Sequence, residues 1–433
     1  VPFKRLRYVD PVDLYSALRD FEMPFILRSA EKGSEKARFT YVSAVPEFVV
    51  EVSGKGTLVD GETVSHESNP FRALKGLMRE KVKGNRFLGG FVGYVAYDAV
   101  HNYIGGEIEE PSVFGYYPWT FVYDHASGTF GFFYLQEPPF DPELVVTRAR
   151  RTGRESTGGG SSVISTDAGF DDFIEMVEKG KEYIRSGDVF QVVLSREYRI
   201  KTDLDPLEIY ERLVAINPSP YTFLLEFGKT VVGASPETMG SVEGRLFKIN
   251  PIAGTAPRGR SREEDDALRK CLLSDEKERA EHVMLVDLAR NDVRRVSKAG
   301  SVRLVRFFDV LRYSHVQHIE SEVGGELRDD VTAFDAMEAA FPAGTLTGAP
   351  KIRAMEIIDE LEKSRRRVYG GAVGYFSTTG DADLAIAIRM AEIDRVVRVR
   401  AGAGIVADSV PEKEYLETEN KMKAVLKALG VVE

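Results

Sequence analysis

Cysteine is almost absent from this chain: Cys271 is the only one in 433 residues. A single thiol excludes an internal disulfide and any thiolate zinc cluster. Histidine is scarce too, with six in all (66, 101, 125, 282, 315 and 318), so any metal is expected to be a hard cation held by carboxylates. Long apolar runs are missing. The stretch Phe87 to Val100 is too short and too glycine-broken to cross a membrane. The opening residues, VPFKRLRYVD, carry no apolar core of the kind a secretory leader needs. Nor is there an excess of positive charge: 58 Lys and Arg face 68 Asp and Glu, a net −10, which makes a nucleic-acid partner unexpected. A 43% hydrophobic and 29% charged composition excludes a disordered chain. The expectation is a soluble cytoplasmic enzyme.

One compositional break stands out. Residues 151–169, RTGRESTGGGSSVISTDAG, are rich in Gly, Ser and Thr and read as a flexible linker or surface loop. The segment divides the chain into residues 1–150 and 170–433. The first part reads as mostly β. TFVYDHASGTFGFFYL has a hairpin pattern with Ala126, Ser127 and Gly128 at the turn, and FLGGFVGYVAYD places glycines where backbones approach closely. One helix is expected from Pro70 to Lys83. The second part interleaves helices (Asp171–Ser186, Pro206–Asn217, one or two over 261–292, Lys351–Lys363, Lys413–Leu429) with short strands, several close enough in sequence to pair as antiparallel hairpins.

Two segments share an acidic spacing. Glu278 and Glu281 lie three apart in DEKERAEHVMLVDLARND, and Glu414 and Glu417 in PEKEYLETENK. At that spacing two helical carboxylates sit on one face and repel, and a bound cation would relieve the repulsion. Four carboxylates from two helices suit Mg²⁺. Taken alone, such a pair is more often a solvated helix face. Glycine-containing turns follow several strands: GASPE, PIAGTAPRG, FPAGTLTGAPK, YGGAVGY and AGAGIVADS. Their N–H groups can form anion nests, but none has the spacing of a phosphate-binding P-loop or a dinucleotide fingerprint. A small carboxylate suits them better, and Arg389, in AIAIRMA, is either its bidentate partner or half of a structural ion pair. His315 and His318 lie in one alternating segment and point to opposite faces, so they cannot line one site together. A lone strand histidine is more often a hydrogen-bonded structural residue.

In chain order, GDVFQVVLSR, NPSPYTFLL, GASPE, PIAGT, AEHVMLVDLARND, FPAGTLTGAPK, YGGAVGY, AIAIRMA and GAGIVADSVPEKEYLETENK together resemble the chorismate-utilising enzymes. That group includes anthranilate synthase component I, aminodeoxychorismate synthase and the isochorismate and salicylate synthases. The resemblance is dense over 165–433 and looser before it. It implies an α+β fold layered α/β/β/α around two large, mostly antiparallel sheets. It implies that Glu278, Glu281, Glu414 and Glu417 hold Mg²⁺ against the ring carboxylate of chorismate, with Lys421 beside it. Tyr369, Arg389 and the backbone at Gly402 and Gly404 would clamp the enolpyruvyl carboxylate. Glu237 would protonate the departing 4-hydroxyl, and His318 would serve pyruvate elimination. Gly254, Thr255 and Thr345 would line the pocket.

Two positions discriminate within the group. Water-adding relatives carry a lysine base where this chain has Gln191, and a neutral amide cannot deprotonate water. The aminodeoxychorismate enzyme carries a nucleophilic lysine in PIAGT, where this chain has Ala253. Ammonia must then attack the ring directly, giving 2-amino-2-deoxyisochorismate and then anthranilate and pyruvate, a lyase reaction that opens tryptophan biosynthesis. Aminodeoxychorismate synthesis and a non-catalytic ligand-binding relative are the alternatives. No glutaminase elbow surrounds Cys271, so ammonia is expected from a separate glutamine amidotransferase subunit in a hetero-oligomer. The family's tryptophan feedback site maps to Ser29 of PFILRS and to Asn217, Pro218, Pro220 and Tyr221. Arg28 stands where a glutamate usually meets the tryptophan ammonium. The plain reading of Pro218, Pro220 and Tyr221 is a helix-to-strand turn.

Overall fold

Strands such as Gly90–Val95 and Ser112–Tyr117 are buried at every position, which a sheet permits only when both of its faces are covered. The computed structural model describes residues 2–29, 38–79, 81–84, 86–151, 158–312 and 316–432. His315 lies outside them. Two twelve-stranded sheets pack face to face. The first runs, edge to edge, Phe3–Arg5, Thr129–Tyr134, Trp119–Asp124, Phe39–Ser43, Phe25–Arg28, Tyr221–Phe227, Lys229–Ser235, Met390–Ile393, Val397–Ile405, Gln191–Thr202 and Ser161–Thr166, with Gly348–Ala349 also on Gln191–Thr202. The second runs Ile252–Pro257, Val316–Glu326, Leu246–Ile249, Thr238–Glu243, Ala382–Ile386, Ala372–Ser377, Gly90–Val95, Ser112–Tyr117, Phe48–Ser53, Gly56–Val59 and Glu62–Ser65, with Arg303–Arg312 along Val316–Glu326. Every pairing among the described strands is antiparallel.

The alternation of side chains explains the layers. Val92 and Tyr94 point into the core between the sheets, with Phe223 and Leu225 from the opposite sheet. Their neighbours Phe91 and Val95 point outward, under helices Pro70–Leu77, Glu276–Val296 and Ala333–Ala340. On the other side Leu224 and Val232 lie under helices Pro11–Leu18, Pro142–Ala149, Pro206–Ile216 and Pro411–Ala428. Phe170–Arg185 and Lys351–Leu361 cover the end of the first sheet around Val192, Leu194, Ala403 and Ile405. The arrangement is the expected α/β/β/α stack. At Gly93 a Cβ would overlap the carbonyl oxygen of Val113, the close backbone approach that the glycine spacing predicted.

Two expectations change. Residues 161–166, inside the segment read as a linker or loop, form a strand whose Val163 and Ile164 suit an edge and whose Ser161 hydroxyl meets that of Thr202 at 2.7 Å. In each sheet a block of strands from before 151–169 joins a block from after it, at Phe25–Arg28 on Tyr221–Phe227 in the first and at Gly90–Val95 on Ala372–Ser377 in the second. The helix expected over Pro70–Lys83 ends at Leu77, because Met78 turns extended and lets Arg79 reach Glu47 (2.6 Å) and the rings of Phe48 and Tyr116. No helix among the described residues is long and apolar enough to cross a membrane.

Four helices open on Asp or Asn followed by Pro, with the side chain capping an N–H two residues on: Asp10, Asn69, Asp141 and Asp205. Asp205 also binds both oxygens to Arg19 Nη1 (2.8 and 2.9 Å), tying Pro206–Ile216 to the end of Pro11–Leu18. Asp205→Ala is therefore expected to lower unfolding free energy by about 1–2 kcal/mol. Asp205→Ser, which keeps the cap and loses the ion pair, is expected to recover most of that. Urea midpoints of the three proteins check it; equal loss in both variants would place the effect in the ion pair.

Candidate active site

Val192–Ile200 pairs with Val397–Ile405 over nine residues, setting Gly404 opposite Val193 and Gly402 opposite Ser195. Those two glycines leave a bare stretch of strand, and two helices reach it. From Glu276–Val296, Glu281 receives a hydrogen bond from Gln191 Nε2 (2.9 Å), and its Oε1 lies 3.7 Å from where a Cβ on Gly404 would be. From Pro411–Ala428, Lys421 donates to the Gly402 carbonyl (3.0 Å) and pairs with Glu417 (2.5 Å). Arg389 donates through Nη1 to the Lys421 carbonyl (2.7 Å), and its other N–H groups have no hydrogen-bond partner among the described residues. Its backbone is left-handed (φ 52°), a strained conformation for a non-glycine residue and one that clusters at functional sites. Burial pushes its pKa below the usual arginine value, opposed by nearby Tyr369 and Glu417, and the guanidinium keeps its charge.

The second sheet supplies the rest. Gly254 is left-handed (φ 63°), and a Cβ there would sit 3.0 Å from Glu278 Oε2. Its carbonyl lies 3.0 Å from His318 Nδ1. A carbonyl can only accept, so Nδ1 carries the proton and Nε2 is the proton-accepting nitrogen. Burial, with Arg389 and Lys421 nearby, holds the His318 pKa below the ordinary value despite the bond to Gly254, so the ring is neutral at pH 7. Thr255 faces His318 in the ladder and Ala253 faces Ile319. Glu237 is buried and accepts from the Thr345 hydroxyl (2.9 Å); both line a cavity with Leu285 and Leu288 of the helix that carries Glu281.

Glu278 and Glu281, and Glu414 and Glu417, occupy successive turns of the two helices. Among the described residues no three His, Cys, Asp or Glu side chains converge closely enough to hold an ion. The donor set still fits a hard cation in kind: it is all oxygen, Glu281 spends only Oε1 on Gln191, and Glu417 rests on an ammonium that a cation could replace.

Ser29, Pro220 and Tyr221 meet at a separate cavity between the sheets, about 540 Å³ counting the solvent at its mouth, with Arg28, Tyr41, Tyr375 and Asp383 in its walls. Tyr221 donates to Asp383 (3.0 Å). Asn217 and Pro218 do not line it. Asn217 ends the helix Pro206–Ile216, and 217–220 is the helix-to-strand turn.

The profile of chorismate binding enzymes matches residues 22–427. The chain belongs to that family. It is 78% identical over 434 residues, the whole of both chains, to anthranilate synthase component 1 of Thermococcus kodakarensis. It is 57% identical to the enzyme of that name from Archaeoglobus fulgidus, over 98% of this chain and 99% of the other. The crystal structure of anthranilate synthase component I from Streptococcus pneumoniae superposes with a TM-score of 0.79 at 36% identity, covering 91% of this chain and 93% of that one. The menaquinone-specific isochorismate synthase of Escherichia coli shares the fold at 18% identity, with a TM-score of 0.77 over 99% and 93% of the two chains. In this chorismate-binding chain, sequence reasoning missed the contact of Gln191 with Glu281 and the carboxylate of Asp383. Both depend on strands distant in sequence, and no local pattern announces them.

It also missed His282, next to Glu281. The ring is fully buried, with Nε2 2.7 Å from the Ser321 hydroxyl and Nδ1 buried without a partner among the described residues. Protonation would bury an unpaired N–H, and burial depresses the pKa to about 4. The folded state then binds fewer protons than the unfolded state between pH 6.5 and 4, so this group's stabilisation is present above pH 6.5 and lost as pH falls. The expected loss by pH 4 is on the order of 3 kcal/mol. Urea titrations at several pH values check it, and His282→Gln is expected to flatten the slope across that window.

Proposed function

We propose that this chain converts chorismate and ammonia to anthranilate and pyruvate, the work of an anthranilate synthase component 1, with ammonia supplied by a separate amidotransferase subunit. The observation that carries the reading is the neutral amide of Gln191 on Glu281, with Ala253 in the strand that holds Gly254. The first lacks a base for adding water and the second lacks an amine for attacking the ring. Lys421, whose amine reaches the bare strand, is held by Gly402 and Glu417.

Each residue then has a task. Arg389 receives the enolpyruvyl carboxylate through the N–H groups not given to Lys421, beside Tyr369 and the backbone of Gly402 and Gly404. Glu237, steadied by Thr345, gives its proton to the 4-hydroxyl, which leaves as water once ammonia bonds to ring carbon 2. His318, neutral and proton-accepting at Nε2, takes the proton from that carbon as the enolpyruvyl C–O bond breaks, and pyruvate and the aromatic ring form. Mg²⁺, when held by Glu278, Glu281, Glu414 and Glu417, would supply countercharge for the ring carboxylate. The atoms balance: chorismate and ammonia become anthranilate, pyruvate and water.

The purified chain with chorismate, Mg²⁺ and an ammonium salt at alkaline pH is expected to yield anthranilate and pyruvate. EDTA is expected to stop turnover and added Mg²⁺ to restore it. Glutamine is expected to replace ammonium only when an amidotransferase subunit is added. Product separation by chromatography decides; 4-amino-4-deoxychorismate or isochorismate as the main product would reassign the chain to a sister activity.

The cavity between the sheets supports tryptophan as a feedback ligand. Arg28 is a cation where the family pattern has a carboxylate, and Asp383 provides a carboxylate in the same wall. On this reading Asp383 meets the ammonium and Arg28 the carboxylate of the amino acid. Asp383→Asn is expected to weaken tryptophan binding about 10- to 100-fold with little change in uninhibited turnover. Calorimetric titration measures it; unchanged affinity would remove Asp383 from the ligand's contacts.

A further inference from the structure

Gln191 opens the long strand Gln191–Thr202 and is 3% exposed. Its Nε2 is committed to Glu281, while Oε1 is buried with no hydrogen-bond partner among the described residues. The neighbouring carboxylate fixes this orientation, because the reversed amide would set oxygen against oxygen. Gly404 gives the amide its room: a Cβ there would stand 2.5 Å from Nε2. The result is an acceptor, desolvated and unused, beside the strand from which Arg389, Lys421 and Glu281 are all reached. A buried carbonyl oxygen of this kind gains most from a small N–H donor.

We propose that the Gln191 carbonyl oxygen holds the incoming ammonia, an inference that rests on the anthranilate-forming reading above. One N–H of ammonia donates to Oε1, and the nitrogen lone pair stays available for ring carbon 2. As the C–N bond forms, the two ring double bonds shift and the C4–O bond breaks. The hydroxyl leaves as water with the proton of Glu237, the new C–N group is left as ammonium, and Glu237 recovers a proton from solvent. A water molecule in the same place is a poor nucleophile, because an amide oxygen does not take its proton. Ammonia needs no such help. A neutral acceptor therefore selects between two molecules of almost equal size by nucleophilicity rather than by fit.

The test is steady-state kinetics of Gln191→Met, which keeps the length of the side chain and removes both the acceptor and the donor to Glu281, a loss that the half-reaction below reads separately. The KM for ammonia is expected to rise about ten-fold or more while the KM for chorismate stays within about two-fold. Pyruvate release from supplied 2-amino-2-deoxyisochorismate, which consumes no ammonia, is expected to continue at the wild-type rate, showing an intact fold and an intact second half-reaction. An ammonia KM within two-fold of wild type overturns the proposal. So does a joint rise in both KM values with slower pyruvate release, which would make Gln191 a positioning residue for Glu281. A wild-type chain that forms no anthranilate overturns the function itself, and that result is read without the variant.

Discussion

The long antiparallel pairing of Gln191–Thr202 with Val397–Ile405 is the constraint on which the site depends. It sets the bare glycine stretch beside Gln191 and gives Pro411–Ala428 a surface to lie on. Arg196 fixes that helix from beneath. Its guanidinium is fully buried, donates to the Thr418 hydroxyl (2.9 Å), pairs with Glu419 and is sandwiched by the rings of Tyr198 and Tyr415. Thr418 and Glu419 follow Glu417 directly, so one buried cation sets both the height and the rotation of the helix that presents Glu414, Glu417 and Lys421. Truncating such a cation would leave buried partners unpaired, a larger loss than the pair contributes by forming.

Charge is arranged in opposition across the site. Arg389 lies beside the Val397–Ile405 strand, Lys421 shares its helix with Glu414 and Glu417, and Glu278 and Glu281 come from the helix Glu276–Val296. On the proposed reading, Arg389 meets one carboxylate of the substrate, and Lys421 with a divalent cation held by the acidic residues meets the other. Neither set alone would hold such a molecule in one orientation. His318 stays neutral because it is buried beside the cationic end.

Much of this was legible in the sequence. The acidic pairs three apart, the helix starts at Pro70 and Pro206 and the turn at Gly128 are local patterns whose physics acts within one or two turns of chain. The layered fold followed from the ordered motifs of the family. Contacts set by register over long separations were not legible. Nothing near Gln191 says that Glu281, ninety residues on, will receive its amide, and nothing near Arg28 says that Asp383 will share its wall. The polar composition of 161–166 concealed a strand, because an edge strand exposed on one side needs few apolar residues.

The seam in the second sheet bears on how the chain is made. Gly90–Val95, buried at every position, pairs on one side with Ser112–Tyr117 and on the other with Ala372–Ser377, roughly 280 residues later. At ribosomal rates of about 5–20 residues per second, the second neighbour emerges some 15–55 s after the first strand. Through that interval the nascent chain carries an apolar strand with one open edge, which is the kind of surface that recruits either chaperones or other nascent chains. The protein's last quarter thus completes a sheet begun in its first, and until then the early strands have only one another to pair with.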